Sequence, residues 1–348
     1  MAEPSAESNG GAARTILVLG GGVIGVSISY YLALRGTPVI LVDRAGIASC
    51  ASGKAGGFLA RDWNDGNPVG ELARKSFDMH EEVAKQLGLP SYRRLRCLAV
   101  RVDGSGRKTD GPVSKPGGAK LKGLEWTDLG VEGSSLMGDE STIAQVHPKE
   151  LVDAMWAYAE GKGSTFRRGV VEQLEYADDH GDPRRVTGVV IDGKVVPADV
   201  VVMAMGPWGS VLQQAMPGCH MGGVKYHSIL MQSGRVLNEA VFFNGLGDPE
   251  VYPRNDGNTY VTGFPDAKQE VSEIPGEVEV RDDVCNRLIQ TMKLVSSEMK
   301  DADVSLKQAC YLPFTQDNSP CMGAVPMHSN AYVATGHGCW GILNSLAS

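Results

Sequence analysis

A chain of 348 residues with 42% hydrophobic and 21% charged side chains has the make-up of a folded globular protein, large enough for one big or two smaller domains. Its net charge of −8, with lysines and arginines scattered rather than massed together, offers no electrostatic footprint for nucleic acid. Seven widely spaced cysteines without a C-x-x-C pair speak against a disulfide framework or a zinc site and for a reducing, cytoplasmic compartment, with no metal expected.

Residues 1–13 are mostly Ala, Glu, Ser and Gly without basic or amphipathic character, which predicts a disordered tail rather than a targeting peptide. A strand in Thr15–Leu19, a glycine turn in Gly20-Gly21-Gly22-Val23-Ile24-Gly25 and a helix over Val26–Leu34 follow. The stretch is apolar enough to suggest a membrane span or a signal peptide, but three consecutive glycines and the polar Ser27, Ser29, Tyr30 and Tyr31 argue against both. Strand, turn and helix in this order suit a dinucleotide pyrophosphate. Gly20 allows the tight turn, Gly22 the approach of backbone N–H groups, and Gly25 the close packing of helix on strand. A second short strand, Pro38–Asp43, ends in an acid about 20 residues past the glycines, where a carboxylate reaches both ribose hydroxyls. The plain alternative is a chance glycine-rich turn.

Ala48–Gly57 is too rich in Gly, Ala and Ser for a packed element, and small side chains beside a strand end suit backbone approach to a ligand. Val69–Leu87 predicts a helix stopped by Gly88, and Arg96–Val102 a strand. Asp103–Gly123, with Gly, Lys and Pro but no periodicity, reads as an exposed loop or hairpin. Pro148 opens a helix running through Glu160, with His147 as its entry residue. Thr165–Leu174 alternates as a strand, Val186–Ile191 and Lys194–Val196 form a hairpin about Asp192-Gly193, and Ala198–Met205 is a buried parallel strand. Tyr226–Gln232, Ala240–Asn244 and Tyr260–Phe264 predict antiparallel strands of a second sheet. Val284, Leu288, Met292, Val295 and Met299 then repeat at helical spacing behind Asp282 and Asp283. Asp303–Tyr311 and Asn330–Thr335 are strands, the latter running into Gly336-His337-Gly338-Cys339-Trp340-Gly341-Ile342, a second glycine turn that opens a helix.

This series resembles the FAD-dependent D-amino-acid oxidase-like family that includes glycine oxidase and sarcosine oxidase, from about Thr15 to Asn344. The first glycine motif with Val23, Ile24, Asp43 and Arg44 matches the family's ADP-binding start. Ser52–Leu59, with Ser52, Gly56 and Gly57, matches the crossing from pyrophosphate to flavin, and Val170-Val171 the adenine clasp. Met205-Gly206-Pro207-Trp208 resembles its "A-x-G-x-W" strand end, and Tyr252-Pro253-Arg254-x-Asp256-Gly257 with Gly263 its substrate-domain hairpin. Thr315-x-Asp317-x-x-Pro320-x-x-Gly323 and Gly336-His337-Gly338, leading to Trp340, Gly341 and Ile342, resemble the flavin-ring end.

The resemblance implies an α/β fold: a Rossmann-like FAD-binding domain, discontinuous over 14–90, 142–215 and 320–348, and an inserted α+β substrate domain of mainly antiparallel sheet over 91–141 and 216–319. It implies FAD as cofactor and oxidation of a C–N bond in a small amine or amino acid derivative. Hydride would pass to flavin N5, with oxygen or another acceptor taking the electrons. A helix N-terminus at Gly338–Ile342 would stabilise negative charge on the reduced ring.

Several residues depart from the pattern or leave two readings open. The arginine that pairs with the substrate carboxylate in amino-acid-oxidising relatives is absent from Ala309-Cys310-Tyr311-Leu312-Pro313-Phe314, so Arg254 either takes that role or forms a surface salt bridge. Cys310, seven positions before Asp317, has the offset of the covalent flavin attachment in sarcosine oxidase-like members, or is a small buried hydrophobe. His337 is a proton-transfer candidate or a backbone-bonded turn residue, and Trp208 and Trp340 line the ring or fill core. Relatives continue past the glycine turn into a full helix, whereas this sequence stops at Ser348, which implies a shortened variant. Loss of that helix and of the arginine makes a non-catalytic interaction protein the alternative function.

Overall fold

The computed structural model describes residues 14–108, 124–177, 183–326 and 328–348. The expected tail over 1–13 and most of the expected loop over 103–123 lie outside these. Ile16–Leu19, buried at every position, sits inside a six-stranded sheet because such a run can bury both faces only between two neighbours. Val200–Met203 and Ile40–Asp43 flank it in parallel, followed outward by Ala331–Thr335 and Thr165–Arg168, also parallel. Cys321–Ala324 closes one edge antiparallel to Ala331–Thr335. Parallel strands end on the same side, so Gly20, Asp43, Met205 and Gly336 all emerge at one carboxyl edge.

Helices cover this sheet. Val23–Leu34 packs against Pro148–Gly161, and Val26, Tyr30, Leu41, Leu151 and Met155 form one continuous core. Each such buried side chain contributes about 1.5–3 kcal/mol through removal of apolar area from water. Gly70–Leu87 adds Ala73, Phe77, Val83 and Ala84 to the same core.

The seven-stranded sheet runs in the order Val304–Phe314, Gly222–Gln232, Asn258–Gly263, Glu250–Pro253, Glu239–Asn244, Arg96–Val102, Val131–Gly138. It is antiparallel except where Glu239–Asn244 lies parallel to Arg96–Val102. Alternation gives it two different faces. Val241, Val251 and Val261 pack on Leu288, Met292 and Val295 of the Asp282–Val295 helix, while Leu230, Tyr252 and Tyr260 face the first half of the molecule.

Three expectations are corrected. Thr165–Leu174 is two strands: Thr165–Arg168 joins the six-stranded sheet, and Val171–Tyr176 belongs to a small antiparallel sheet with Val186–Ile191 and Lys194–Pro197. The break falls at Gly169, where a side chain would lie 2.5 Å from Ile191 Cγ2. Ala48–Gly57 does contain a regular element, the short Ala51–Lys54 helix, none of whose residues is fully buried and whose last residue bonds to the second sheet. Asp303–Tyr311 extends to Val304–Phe314, held in antiparallel register against Gly222–Gln232. No helix among the described residues is long and apolar enough to cross a membrane.

Candidate functional site

The carboxyl edge of the six-stranded sheet opens into an elongated cavity of about 280 Å³. At one end the turn after Ile16–Leu19 brings backbone against backbone. Gly20 has φ +114°, and a Cβ on it would lie 2.3 Å from Ala204 O; a Cβ on Gly25 would lie 2.0 Å from Gly20 O. The turn can therefore be built only without side chains at those two positions.

Asp43 organises the neighbouring loop as well as facing the cavity. Its Oδ2 accepts Gly21 N–H at 2.8 Å, and its Oδ1 accepts Ala45 N–H at 2.7 Å and Gly46 N–H at 2.8 Å. Carboxylate oxygens carry further lone pairs, so this does not exhaust its capacity for hydroxyl donors. Ser52 Oγ accepts Val23 N–H at 2.8 Å and so serves the first turn of the Val23–Leu34 helix from a distant part of the chain.

At the other end lies the turn after Ala331–Thr335. Thr335 Oγ1 donates to Gly206 O at 3.1 Å, joining two strand ends into one wall. His337 is 5% exposed, its Nε2 lies 3.0 Å from Ser348 Oγ, and burial pushes it down to about 4, so the ring is neutral at neutral pH. Its Nδ1 has no partner among the described residues. Behind this turn His80 Nε2–H donates to Ile342 O at 3.0 Å and Leu343 O at 3.1 Å, while Ser76 Oγ accepts Leu346 N–H at 3.2 Å. Leu343 and Leu346 are buried, so the segment after the glycine turn is packed and hydrogen-bonded.

Of the residues singled out from sequence, Gly20, Gly22, Val23, Ile24, Asp43, Arg44, Ser52, Val171, Gly206, Trp208, Gly336, His337, Gly338, Gly341 and Ile342 line this one cavity. Gly25, Gly56, Gly57, Trp340 and Arg254 stand outside its lining. Trp208 is half-buried among the cavity-lining residues, lies edge-on to Tyr311 at 6.3 Å, and donates Nε1–H to Glu273 O at 2.7 Å. Trp340 instead turns towards Trp63, with ring centroids 6.2 Å apart.

Arg254 is neither at the cavity wall nor in a surface salt bridge. It is 6% exposed, donates to Ala55 O at 3.1 Å, approaches His147 Nε2 at 3.2 Å and lies over the Tyr260 ring at 5.7 Å. His147 keeps its expected place, accepting Glu150 N–H at the start of Pro148–Gly161.

Cys310 is buried beside Cys50 and does not line the cavity, whereas Cys50 does. A hydrogen bond between the two thiols holds Cys50 below its usual range and raises Cys310. The sequence offered no signal for Cys50, His80 or Pro275, which also lines the cavity. Each reaches the site through tertiary contacts alone.

The halves are tied across the cavity by the Ala51–Lys54 helix. Lys54 Nζ donates to Ala309 O at 3.0 Å, and Gln308 Nε2 donates to Lys54 O at 2.9 Å.

A glycine turn at a helix N-terminus, an acid at the next strand end and a second glycine turn at the far end of the same cavity define a dinucleotide-binding oxidoreductase. The chain belongs to the family described as FAD dependent oxidoreductase, DAO, which matches residues 15–348. Its cofactor is FAD. It is 30% identical to C1F5.03c of Schizosaccharomyces pombe, a protein with an oxidoreductase name, over 94% of this chain and 90% of that one. The fold is similar to glycine oxidase from Bacillus cereus, with a TM-score of 0.76 at 22% identity over 96% of this chain and 94% of the other. It is also similar to L-proline dehydrogenase from P. horikoshii, with a TM-score of 0.75 at 15% identity over 96% and 90%.

The residues present fit the cofactor. Side-chain-free backbone lies where a pyrophosphate must approach, and a long cavity joins that turn to a second one. No group of three or more metal-ligating side chains occurs among the described residues.

Proposed function

We propose that this oxidoreductase oxidises a C–N bond of a small amine or amino acid derivative, with oxygen or another acceptor as electron sink, in the reducing setting of the cytoplasm. The observation that carries the reading is the single cavity running from Gly20 to His337, one wall of which is Leu312-Pro313 of the seven-stranded sheet. FAD bound there would supply a two-electron acceptor for the hydride on the carbon beside nitrogen, and loss of the nitrogen's proton to solvent would balance the step and leave an imine.

The chain's own residues bind, orient and exclude water. Asp43 holds the ribose, Val171 sits against the adenine, and Ser52 and the N-terminus of Val23–Leu34 serve the pyrophosphate. The residues after Gly338 would offer backbone N–H groups to the reduced ring. Neutral, buried His337 presents a ring nitrogen near that end without adding a charge of its own. The residue groups 14–90, 142–215 and 320–348 carry the cofactor in this reading, and 91–141 and 216–319 the substrate. The relatives named glycine oxidase and L-proline dehydrogenase act on compounds with such a bond, which supports the substrate class.

Absorbance spectroscopy tests this directly. The purified protein is expected to show a flavin spectrum that bleaches anaerobically with members of an amine and amino acid panel. A flavin that no amine or amino acid reduces would count against it.

A further inference from the structure

Between the Asn258–Gly263 strand and the Asp282–Val295 helix, residues 264–281 run without helix or strand, apart from one bridge of Gln269 to Gly223. Irregular connections longer than about 12–15 residues are uncommon inside a compact fold and are mostly lids or binding loops. This one crosses from the second sheet to the nucleotide half. Pro275 lines the cofactor cavity. A Cβ on Gly276 would lie 3.1 Å from Ala45 Cβ, and the Gly276 N–H donates to the sulfur of cavity-lining Cys50. The tip of the segment thus touches the loop that Asp43 organises.

Behind the tip the segment is fastened chiefly at one residue. The Glu273 carboxylate accepts Lys225 Nζ at 3.1 and 3.3 Å, the Tyr311 hydroxyl, and the Glu279 N–H at 2.8 Å, the last of which closes residues 273–279 into a loop. Its carbonyl accepts Nε1–H of Trp208, also cavity-lining, at 2.7 Å. Lys225 is 5% exposed, and Glu273 is the carboxylate paired with it. Burial pushes the Glu273 carboxyl up, but the Tyr311 hydroxyl, the Glu279 N–H and Lys225 outweigh it. It therefore stands below its usual range and is charged at neutral pH. Val278 adds a buried apolar contact with Ala309, Tyr311, Trp208 and Val271.

The base of the segment carries an ion pair, further hydrogen bonds and this apolar patch, whereas the hydrogen bond at the tip goes to a thiol, a weak acceptor. Such a segment opens at its tip first. We propose that residues 271–279 are a strap across the cofactor cavity, that the cavity takes up and releases FAD only when Pro275 and Gly276 lift from Cys50 and Ala45, and that Glu273 is the positioning residue that sets how often they do. Part of the half assigned above to the substrate thereby serves the cofactor, whatever amine or other compound is oxidised.

Stopped-flow flavin fluorescence gives both rates, uptake of FAD by FAD-free protein and its release from loaded protein on dilution. Glu273→Gln removes the charge that pairs with Lys225. It is expected to raise uptake and release together, each about five-fold or more, because a gate limits passage in both directions. Glu277→Gln, at an exposed position on the same strap, should match the parent in both. Loss of an ordinary contact, or general damage, would instead quicken release and leave or slow uptake. Digestion of the unaltered protein by a glutamate-specific protease supplies a second measurement should the variant fold poorly. Bound FAD is expected to slow cleavage after Glu277 and Glu279 about ten-fold and to leave cleavage after exposed Glu140, outside the cavity lining, unchanged. Rates in Glu273→Gln equal to those of the parent, faster release without faster uptake, Glu277→Gln matching Glu273→Gln, or cleavage that FAD slows equally at Glu140 or not at all would each overturn the proposal.

Discussion

Asp43 shows how one side chain serves two tasks whose energies add. Its oxygens gather three backbone N–H groups from the glycine turn and the following loop, and in the proposed complex they also accept ribose hydroxyls. Asp43→Ala is expected to weaken FAD binding by about 1–3 kcal/mol, and Asp43→Asn by less, because an amide oxygen preserves part of the acceptor set. Flavin titration of both variants measures this, and unchanged affinity in the alanine variant would remove Asp43 from the site. Cys310 gives a second expectation at this scale. With its thiol against Cys50 and away from the cavity lining, acid or heat denaturation should release free FAD into the supernatant. Flavin that stays with the polypeptide, and is lost from it in Cys310→Ala, would show a thioether instead.

Among the elements, the contact between Gly70–Leu87 and the segment after the second glycine turn is held by a histidine that must stay neutral. Burial depresses His80 from 6.5 to about 4, against the opposing pull of its two carbonyl acceptors. The unfolded chain takes up this proton near pH 6.5 and the folded one only near 4, so more protons are bound in the unfolded state between those values. Stability is therefore full above pH 6.5 and declines as pH falls towards 4, by up to about 3 kcal/mol from this one group. His337, lowered to about 4 by burial, acts in the same direction and window. The urea midpoint should fall between pH 7.5 and 5, and less steeply in His80→Gln; parallel slopes for the two proteins would show that His80 does not titrate on unfolding.

Elements differ in how openly the sequence displays them. Ile16–Leu19 and Val200–Met203 are apolar runs that nothing but a central parallel strand accommodates, and the helices carry their own start and stop chemistry at Pro148, Asp282 and Gly88. Phe58–Ala60, Arg93–Arg94 and Ile143–Gln145 are too short to show a period and exist only through one another. Polar Val131–Gly138 is a strand because the edge of the second sheet offers it a partner in Arg96–Val102. The same division runs through the site. Glycine turns are local backbone devices and are visible as letters. Cys50, Pro275 and His337 meet at the cavity from positions nearly three hundred residues apart in the chain, and no spacing announces it.

At the scale of the whole molecule, the two sheets meet through aromatic rings packed on bare backbone. A Cβ on Gly56 would lie 2.2 Å from Tyr252 Cδ2 and 2.9 Å from Tyr260 Cδ1, rings that are themselves stacked and cannot both withdraw. Gly56→Ala is expected to cost about 1–3 kcal/mol by overpacking, read as a lowered thermal midpoint. A midpoint equal to that of the parent would mean that the interface yields freely.

The short Ala51–Lys54 helix and Ala55 after it bond in three directions: Ser52 to the nucleotide helix, Lys54 to the strand bearing Gln308 and Ala309, and Ala55 to Arg254. For protein engineering this sets where the molecule can be cut and rejoined. A hybrid that exchanges the second sheet for that of another family member, to import a new specificity, breaks the Lys54, Gln308 and Arg254 bonds if residues 51–57 remain behind. The transplantable unit is the sheet together with this seven-residue crossing. Its natural seams are at Cys50-Ala51 and after Gly57, not at the outer boundaries of the sheet.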